Sequence, residues 1–332
     1  MALSPFDAKS LAKLLAEQKK HAWDIEKSIQ WRDRVDLSKP LVPLDDDALV
    51  FPGAGVEHRL LISQIMGLII ARSIYEMEEC LIRLRPQAWD ALFEAAPISP
   101  EFRAVGEQFF LEEKKHADTF RRYVEVFANS LGVDRPTLES ILPEINHTNT
   151  EWLLKQSLEL GSHVFWWVVA TVEQQFLLLH QAMKPFYGTL EPLYAEIHQK
   201  HFEEEARHSP FPYLILEVCQ ESFMTGFSNR MLQKVDVLAA QLVQILWTMS
   251  SLSRVQNAVH LRDKHPMFAK ISELLPFLEQ QPKITTLWKL VTEVPYVSSL
   301  INLNAHKKVL RFAERQGAFV LPLPKLKTRK LR

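Results

Sequence analysis

The segment that most constrains the fold is the almost wholly apolar run HVFWWVVATVEQQFLLL, at positions 163–179. It is shorter than the ~20 apolar residues that cross a bilayer, and Glu173 and two glutamines interrupt it. Glu173 shares a helical face with Trp166, Val169 and Phe176, so an ionised carboxylate at that position needs a partner. The run therefore predicts a buried helix in a globular core, with a polar group pointing into that core.

Composition excludes several classes of protein. The 332 residues are 47% apolar, which is enough for one large domain spanning 1–332. The formal net charge of −1 gives no general attraction to nucleic acid or to anionic membranes, so neither is an expected partner. Two distant cysteines, Cys80 and Cys219, are too few for a disulfide scaffold, a thiolate zinc site or an iron–sulfur cluster. Since the first residues also lack the apolar stretch of a secretion signal, we expect a cytoplasmic protein.

Glycine is scarce, and proline and glycine divide the chain into helix-sized blocks. The hairpins 56–85 with 99–131 and 150–184 with 190–209 predict an all-α fold with a four-helix bundle core at about 55–220. Pro210 and Pro212 predict a break directly after the last of these helices. The remaining predicted helices are 7–32, 213–226, 229–263, 266–280 and 283–315, with a basic tail at 321–332.

The run HFEEEARH at 201–208 places three metal-binding side chains on one helical face. His201, Glu205 and His208 stand at i, i+4 and i+7, within roughly 60° of one another. Glu203 and Glu204 are predicted to point elsewhere, toward solvent. The face is therefore a candidate metal-binding surface that is directed into the bundle.

Hairpin register predicts which carboxylates meet this face. The midpoint of Glu173 and Glu205 is 189, inside the predicted turn, so these residues lie at the same height. In the other hairpin, Glu113 and His116 form a second Glu-x-x-His, and Glu79 lies at the matching height, with Glu76 as the alternative first ligand or an outer group. A glutamate followed by Glu-x-x-His, twice over, suits a pair of iron or manganese ions better than zinc.

These residues resemble a known family. The order Glu79, Glu113-x-x-His116, Glu173, Glu205-x-x-His208 is similar to the ligand pattern of the ferritin-like di-iron carboxylate proteins. The additional His201, and the segment EECLI around Glu79, resemble the p-aminobenzoate N-oxygenase family of non-haem di-iron oxygenases over roughly residues 55–220. The resemblance implies a ferritin-like bundle, seven protein ligands, two iron ions with manganese as a substitute, and dioxygen as co-substrate.

The implied activity is N-oxygenation of an amine to a hydroxylamine, and onward to nitroso or nitro products, in a biosynthetic pathway. The expected substrate is a small-molecule amine, free or bound to a carrier. Because the sequence has no cysteine cluster and no flavin or nucleotide motif, electrons are expected from an external donor, either a separate reductase or peroxide. The C-terminal helices are a candidate homodimer surface. Arg72 is a candidate anchor for a substrate carboxylate, with a structural role as the alternative. The candidate pocket walls, with an ordinary core role as the alternative, are Phe109, Phe120, Trp166 and Phe176.

Three rival functions share parts of this pattern. A di-iron C-hydroxylase or desaturase has the same metal chemistry and a different substrate. A ferroxidase would take up many irons per chain and would not need the roughly 100 residues that follow the last ligand. A radical protein of the ribonucleotide reductase type would need a tyrosine beside the metals, for which Tyr75 is the nearest candidate in sequence.

Overall fold

The computed structural model describes residues 4–43, 57–92, 98–142, 147–223, 259–279 and 307–315. The regular elements in these residues are all helical, so the predicted all-α class is confirmed. The α-helices are α1 (Ala8–Lys20), α2 (Ile25–Ser28), α3 (Glu57–Arg85), α4 (Pro100–Ser130), α5 (Arg135–Glu139), α6 (His147–Leu160), α7 (Ser162–Met183), α8 (Pro192–His208), α9 (Phe211–Phe223), α10 (Pro266–Glu279) and α11 (Lys307–Arg315).

Four long helices form a bundle built from the two predicted hairpins. Helix α3 packs along α4, and α7 packs along α8. The hairpins meet through α4 and α8, while α6 fills the side between α3 and α7. Helix α1 lies across α4 and also touches α8. The interior of the bundle is therefore lined by side chains from both hairpins.

The starts of α4 and α8 follow local sequence signals. Ser99 caps α4 by accepting a hydrogen bond from the Phe102 amide at 3.1 Å, and Pro100 occupies the first helical position. Glu191 caps α8 in the same way, accepting from the Tyr194 amide at 2.8 Å. Helix α8 ends at His208 and α9 begins at Phe211, so the break predicted from the two prolines is confirmed.

Two predicted helices are broken in the structure. The first, 7–32, ends at Lys20 and resumes as the short α2, because the Asp24 side chain accepts hydrogen bonds from the Glu26 and Lys27 amides and starts a new helix. The second, 150–184, is divided into α6 and α7 at Gly161, whose φ of +133° is incompatible with a continuous helix. The predicted helix 229–263 lies mostly, and the tail 321–332 entirely, outside the described residues, as does most of 283–315.

A close helix contact fixes the end of the first hairpin. After Arg85 the chain continues through a π-helical turn, Pro86–Asp90, which buries Trp89 completely. The indole lies against Gly106 of α4, and a Cβ atom built on that glycine would stand 2.0 Å from the Trp89 Cζ2 atom. Gly106 therefore permits an approach that no other residue allows without movement of the ring.

Among the described residues, one helical stretch, His58–Asp90, is long and apolar enough to cross a membrane. Its most apolar window is 78% buried inside the protein, which is typical of a core helix, so the fold is compatible with a soluble protein.

Candidate metal centre

Seven buried glutamate and histidine side chains meet inside the bundle, between the two hairpins. All four bundle helices contribute, and no member is more than 3% exposed. The cluster consists of Glu78 on α3, Glu113 and His116 on α4, Glu173 on α7, and His201, Glu205 and His208 on α8. Six of these were predicted as ligands from the sequence, and the structure brings those six together.

Two overlapping groups within the cluster could each hold a metal ion. One contains Glu78, His116, His201 and Glu205, and the other exchanges Glu78 and His201 for Glu113 and His208. Within each group the candidate ligand atoms all lie within 4.8 Å of one another. Because the groups share His116 and Glu205, two ions bound in them would be neighbours, as in bridged two-metal sites.

Glu78, rather than the predicted Glu79, contributes from α3. A Glu78 oxygen lies 3.2 Å from His201 Nε2 and 3.8 Å from His116 Nδ1. The Glu79 side chain turns outward, where it pairs with Arg121 at 2.7 Å and lies 3.8 Å from Arg83. A shift of one residue turns a side chain by about 100° around the helix, so this correction changes the face while leaving the height unchanged.

The alternative first ligand, Glu76, and the candidate substrate anchor Arg72 belong to a separate network on α3. Arg72 Nε donates to Glu76 Oε1 at 2.7 Å, and Arg72 Nη1 donates to the Glu139 carbonyl at 2.8 Å. Both side chains are buried, and burial raises the pKa of Glu76 to about 7. The structural alternative for Arg72 is therefore the one that the geometry favours, since it ties α3 to α5.

The carboxyl groups of Glu173 and Glu205 meet, as the hairpin register predicted. Burial and their mutual proximity raise the pKa of Glu173 well above its ordinary value. Burial raises the pKa of Glu205 to about 7. Burial, with Glu113 and Glu205 nearby, also raises the pKa of Glu78 well above its ordinary value. A set of carboxyl groups that cannot all ionise together is one that bound cations would allow to ionise.

Several acceptor atoms of the cluster have no hydrogen-bond donor of suitable geometry among the described residues. They are Glu78 Oε2, Glu173 Oε2, both carboxylate oxygens of Glu205, and the Nδ1 atom of His116. Buried polar atoms almost always have a hydrogen-bond partner, so a group of unsatisfied acceptors in one place requires an explanation. Oxygen-rich groups with added imidazoles suit iron or manganese, so the residues present fit a pair of such ions.

Two further glutamates orient two of the histidines. Glu204 Oε2 lies 2.8 Å from His116 Nε2, and Glu112 is hydrogen-bonded to His208 Nε2. Each bond engages one ring nitrogen and turns the other, Nδ1, toward the cluster. Carboxylates hold metal-binding histidines in this way in many metal sites.

The environment affects the histidines differently. Burial lowers the pKa of His116 well below its ordinary value and that of His201 to about 3, so both are neutral imidazoles that can bind a metal. Burial also disfavours the charged form of His208, but its hydrogen bonds to Glu112 and Glu113 outweigh this and raise its pKa. Metal binding at His208 would therefore release a proton.

Three of the four predicted pocket aromatics contact the cluster. Phe109 lies 5.1 Å from the His208 ring, and Phe120 and Phe176 lie 5.1 and 5.0 Å from the His201 ring, measured between ring centroids. Trp166 has a different environment, because its indole N–H donates to the Ala88 carbonyl at 3.1 Å. The first three rings surround the cluster with apolar surface, which strengthens electrostatic interactions within it.

Sequence reasoning missed Glu78, Glu112 and Glu204. Glu204 was expected to face solvent but is fully buried, whereas the Glu203 side chain is 42% exposed as expected. One signal was present: Glu112 and Glu204 each directly precede a ligand glutamate, so both helices carry Glu-Glu-x-x-His.

Comparisons with protein-family models, with curated proteins and with solved structures found no match for this chain. The resemblance to the N-oxygenase family therefore rests on the ligand order, the additional His201 and the segment EECLI. The structure itself supports the helical bundle and the buried carboxylate and histidine groups that could hold a metal ion.

Proposed function

We propose that this protein is a dioxygen-dependent oxidoreductase that holds two iron ions in a ferritin-like bundle. The observation that carries the proposal is the pair of overlapping buried groups that share His116 and Glu205. A structural ion-pair network would match its acidic groups with arginine or lysine, whereas here carboxyl groups face one another and leave acceptors unsatisfied. The ligand set is the predicted one with Glu78 in place of Glu79.

Bound iron would supply the redox chemistry that reduces dioxygen. The chain's own residues do the rest. The glutamates hold the charge of the ions, and Glu112 and Glu204 keep the histidine Nδ1 atoms directed inward. Phe109, Phe120 and Phe176 exclude water from the side of the imidazoles, which protects reactive species from side reactions.

We further propose that the substrate is an amine that is oxygenated on nitrogen, in the cytoplasm, with electrons from an external reductant. This part rests on the resemblance to the p-aminobenzoate N-oxygenase family. A C-hydroxylase or desaturase would use the same ligands. A radical protein is less well supported, because the Tyr75 hydroxyl is hydrogen-bonded to Glu139 on the α5 side of α3 and burial raises its pKa.

Anaerobic iron(II) loading tests the metal assignment. We expect two iron ions per wild-type chain, as in other di-iron bundles, and a large loss in Glu205→Gln, since Glu205 belongs to both groups. Glu203→Gln is the matched control: it changes the same helix by the same atoms at a partly exposed position that pairs with Lys200. Equal iron uptake by wild type and Glu205→Gln would refute the assignment.

A second experiment tests the reaction. The loaded protein is given dioxygen together with a panel of aromatic and aliphatic amines, and the products are separated by mass spectrometry. An oxygen atom added to nitrogen supports N-oxygenation. Oxygen added to carbon, or loss of two hydrogens, would replace it with one of the alternatives, and uptake of many irons without product would indicate iron oxidation for storage.

A further inference from the structure

A tryptophan from outside the bundle reaches the metal centre. Trp23 lies in the segment between α1 and α2, where residues 21, 22 and 24 are exposed, and its own side chain is 9% exposed. Its ring stacks on the ring of His116, with 6.1 Å between centroids and 21° between planes. His116 is fully buried and belongs to both candidate metal groups. Trp23 therefore connects the protein surface with a histidine that belongs to the candidate metal cluster.

A hydrogen-bonded path runs beside this ring contact. The Trp23 amide donates to Glu204 Oε1 at 3.3 Å, and the other oxygen of Glu204 lies 2.8 Å from His116 Nε2. The indole N–H donates to the Lys200 carbonyl at 3.1 Å, and the Lys115 ammonium donates to the Trp23 carbonyl at 3.1 Å. Trp23 is thus held at its amide, its carbonyl and its ring, which fixes its position relative to His116.

We propose that Trp23 is the residue through which electrons from an external reductant enter the metal centre; this inference rests on the proposed function. Electron tunnelling falls steeply with distance and is favoured by aromatic bridges, and here one ring covers the step from the surface to a ligand. The donor would be a reduced flavin, which loses two electrons in one-electron steps and its protons to solvent, while the two ferric ions that the cluster would hold become ferrous. Trp23 begins and ends neutral.

The charge next to the indole agrees with this direction of transfer. The Lys115 ammonium lies 4.4 Å from the Trp23 ring centroid. A cation over the ring disfavours an oxidised, positively charged indole. Trp23 therefore acts as a bridge for electrons that move inward, and is poorly suited to hold an oxidising radical that leaves the centre.

The chain contains a matched control. Trp31 lies just after α2, donates its indole N–H to the Ile25 carbonyl at 2.8 Å, and lies under a cation, with Arg122 at 4.0 Å from its ring. Trp31 therefore shares with Trp23 an indole hydrogen bond to a backbone carbonyl and a cation over the ring, and lacks the stacked imidazole of the cluster. Trp31→Leu therefore also removes a tryptophan ring from the N-terminal part of the chain, but at a site away from the cluster.

The experiment measures how fast the ferric centre of the iron-loaded full-length chain is reduced by free reduced flavin mononucleotide, without dioxygen and without substrate. Stopped-flow absorbance follows the loss of the ferric bands. We expect Trp23→Leu to be reduced several-fold more slowly than wild type, with unchanged iron content and an unchanged ferric spectrum. Trp31→Leu should match wild type. Trp23→Phe, which keeps a ring and the backbone contacts, should fall between wild type and Trp23→Leu, and serves if the leucine variant does not fold.

The outcomes separate this inference from simpler readings. If Trp23 only shields His116 from solvent, its removal opens the site and Trp23→Leu is reduced faster than wild type. Reduction at the wild-type rate, or equal slowing by Trp31→Leu, would also overturn the inference, while the proposed function would stand. Failure of the wild-type chain to bind iron would be the failure of the proposed function, and the inference would fall with it.

Discussion

Exchanging Glu78 and Glu79 separately for glutamine distinguishes the two neighbouring glutamates of α3. A Glu78 oxygen lies 3.2 Å from His201 Nε2 and belongs to one of the two candidate metal groups, so Glu78→Gln removes one charged candidate ligand. Loss of an outer partner of a metal ligand costs 10–100-fold in affinity, so loss of a ligand itself should cost at least about 100-fold, or ~2.7 kcal/mol. Glu79→Gln breaks a partly exposed ion pair with Arg121, worth up to about 1 kcal/mol of folding stability, and should leave metal affinity unchanged.

Although Glu78→Gln should weaken metal binding, it should not lower the stability of the metal-free protein. Burial, with Glu113 and Glu205 nearby, raises the pKa of the Glu78 carboxyl in the folded chain. A carboxyl group whose pKa is raised by folding lowers the free energy of unfolding at every pH above its unfolded pKa. Glutamine has no such charge, so the metal-free variant should be at least as stable as wild type at neutral pH.

The assay combines anaerobic iron(II) titration with thermal unfolding in the presence of iron or of a chelator. For Glu78→Gln we expect weaker iron binding, a smaller rise of Tm on adding iron, and an undiminished Tm in chelator. For Glu79→Gln we expect full iron binding and a small fall of Tm in both conditions. Loss of iron in Glu79→Gln with retention in Glu78→Gln would show that the face of α3 is assigned wrongly. A fall of Tm in chelator for Glu78→Gln would refute the electrostatic reasoning.

Two further predictions concern packing and pH. Gly106→Ala should lower the free energy of unfolding by about 1–3 kcal/mol, because its Cβ would overlap the buried Trp89 ring; Gly188→Ala, with no atom within 4 Å of its Cβ, is the control, and equal chemical denaturation midpoints would contradict the packing. Burial lowers the pKa of His180, which stacks on Phe202, from 6.5 to about 4, so the folded state favours the neutral ring. Stability should therefore be lost as pH falls from 6.5 toward 4, on the order of 1–2 kcal/mol after solvent screening. Urea unfolding of the metal-free chain at several pH values should show a shallower loss in His180→Gln, and parallel losses in the two proteins would refute the assignment.

The part of the site that could be predicted is the part that depends on regular helices. His201, Glu205 and His208 share a face because i, i+4 and i+7 do so in any α-helix. Glu173 could be placed opposite Glu205 because α7 and α8 are joined by a short turn, which leaves little freedom in height. Spacing and hairpin register therefore place these four residues, whose helices run unbroken from the site to the turn.

The choice between Glu78 and Glu79 could not be made in this way. Helix α3 buries apolar side chains around most of its circumference, including Leu68, Ile70 and Ile74, so its pattern does not reveal which face looks onto the other three helices. Midpoint register has an uncertainty of at least one residue, and one residue is enough to change the face. The break at Gly161 was missed for a related reason, since a glycine in a helical pattern predicts a break only when its backbone conformation is known.

The reciprocal arrangement of Glu112 and Glu204 explains why an acidic run that looks solvated is partly buried. In each Glu-Glu-x-x-His segment, the second glutamate and the histidine face the cluster, and the first glutamate reaches the histidine of the other segment: Glu204 holds His116, and Glu112 holds His208. The two segments belong to different hairpins, so His116 and His208 are each held by a glutamate of the other hairpin. The candidate metal site is therefore complete only when α4 and α8 are packed together. Metal binding must then favour the assembled bundle over either hairpin alone, which couples the affinity for the ions to the stability of the interface between the hairpins.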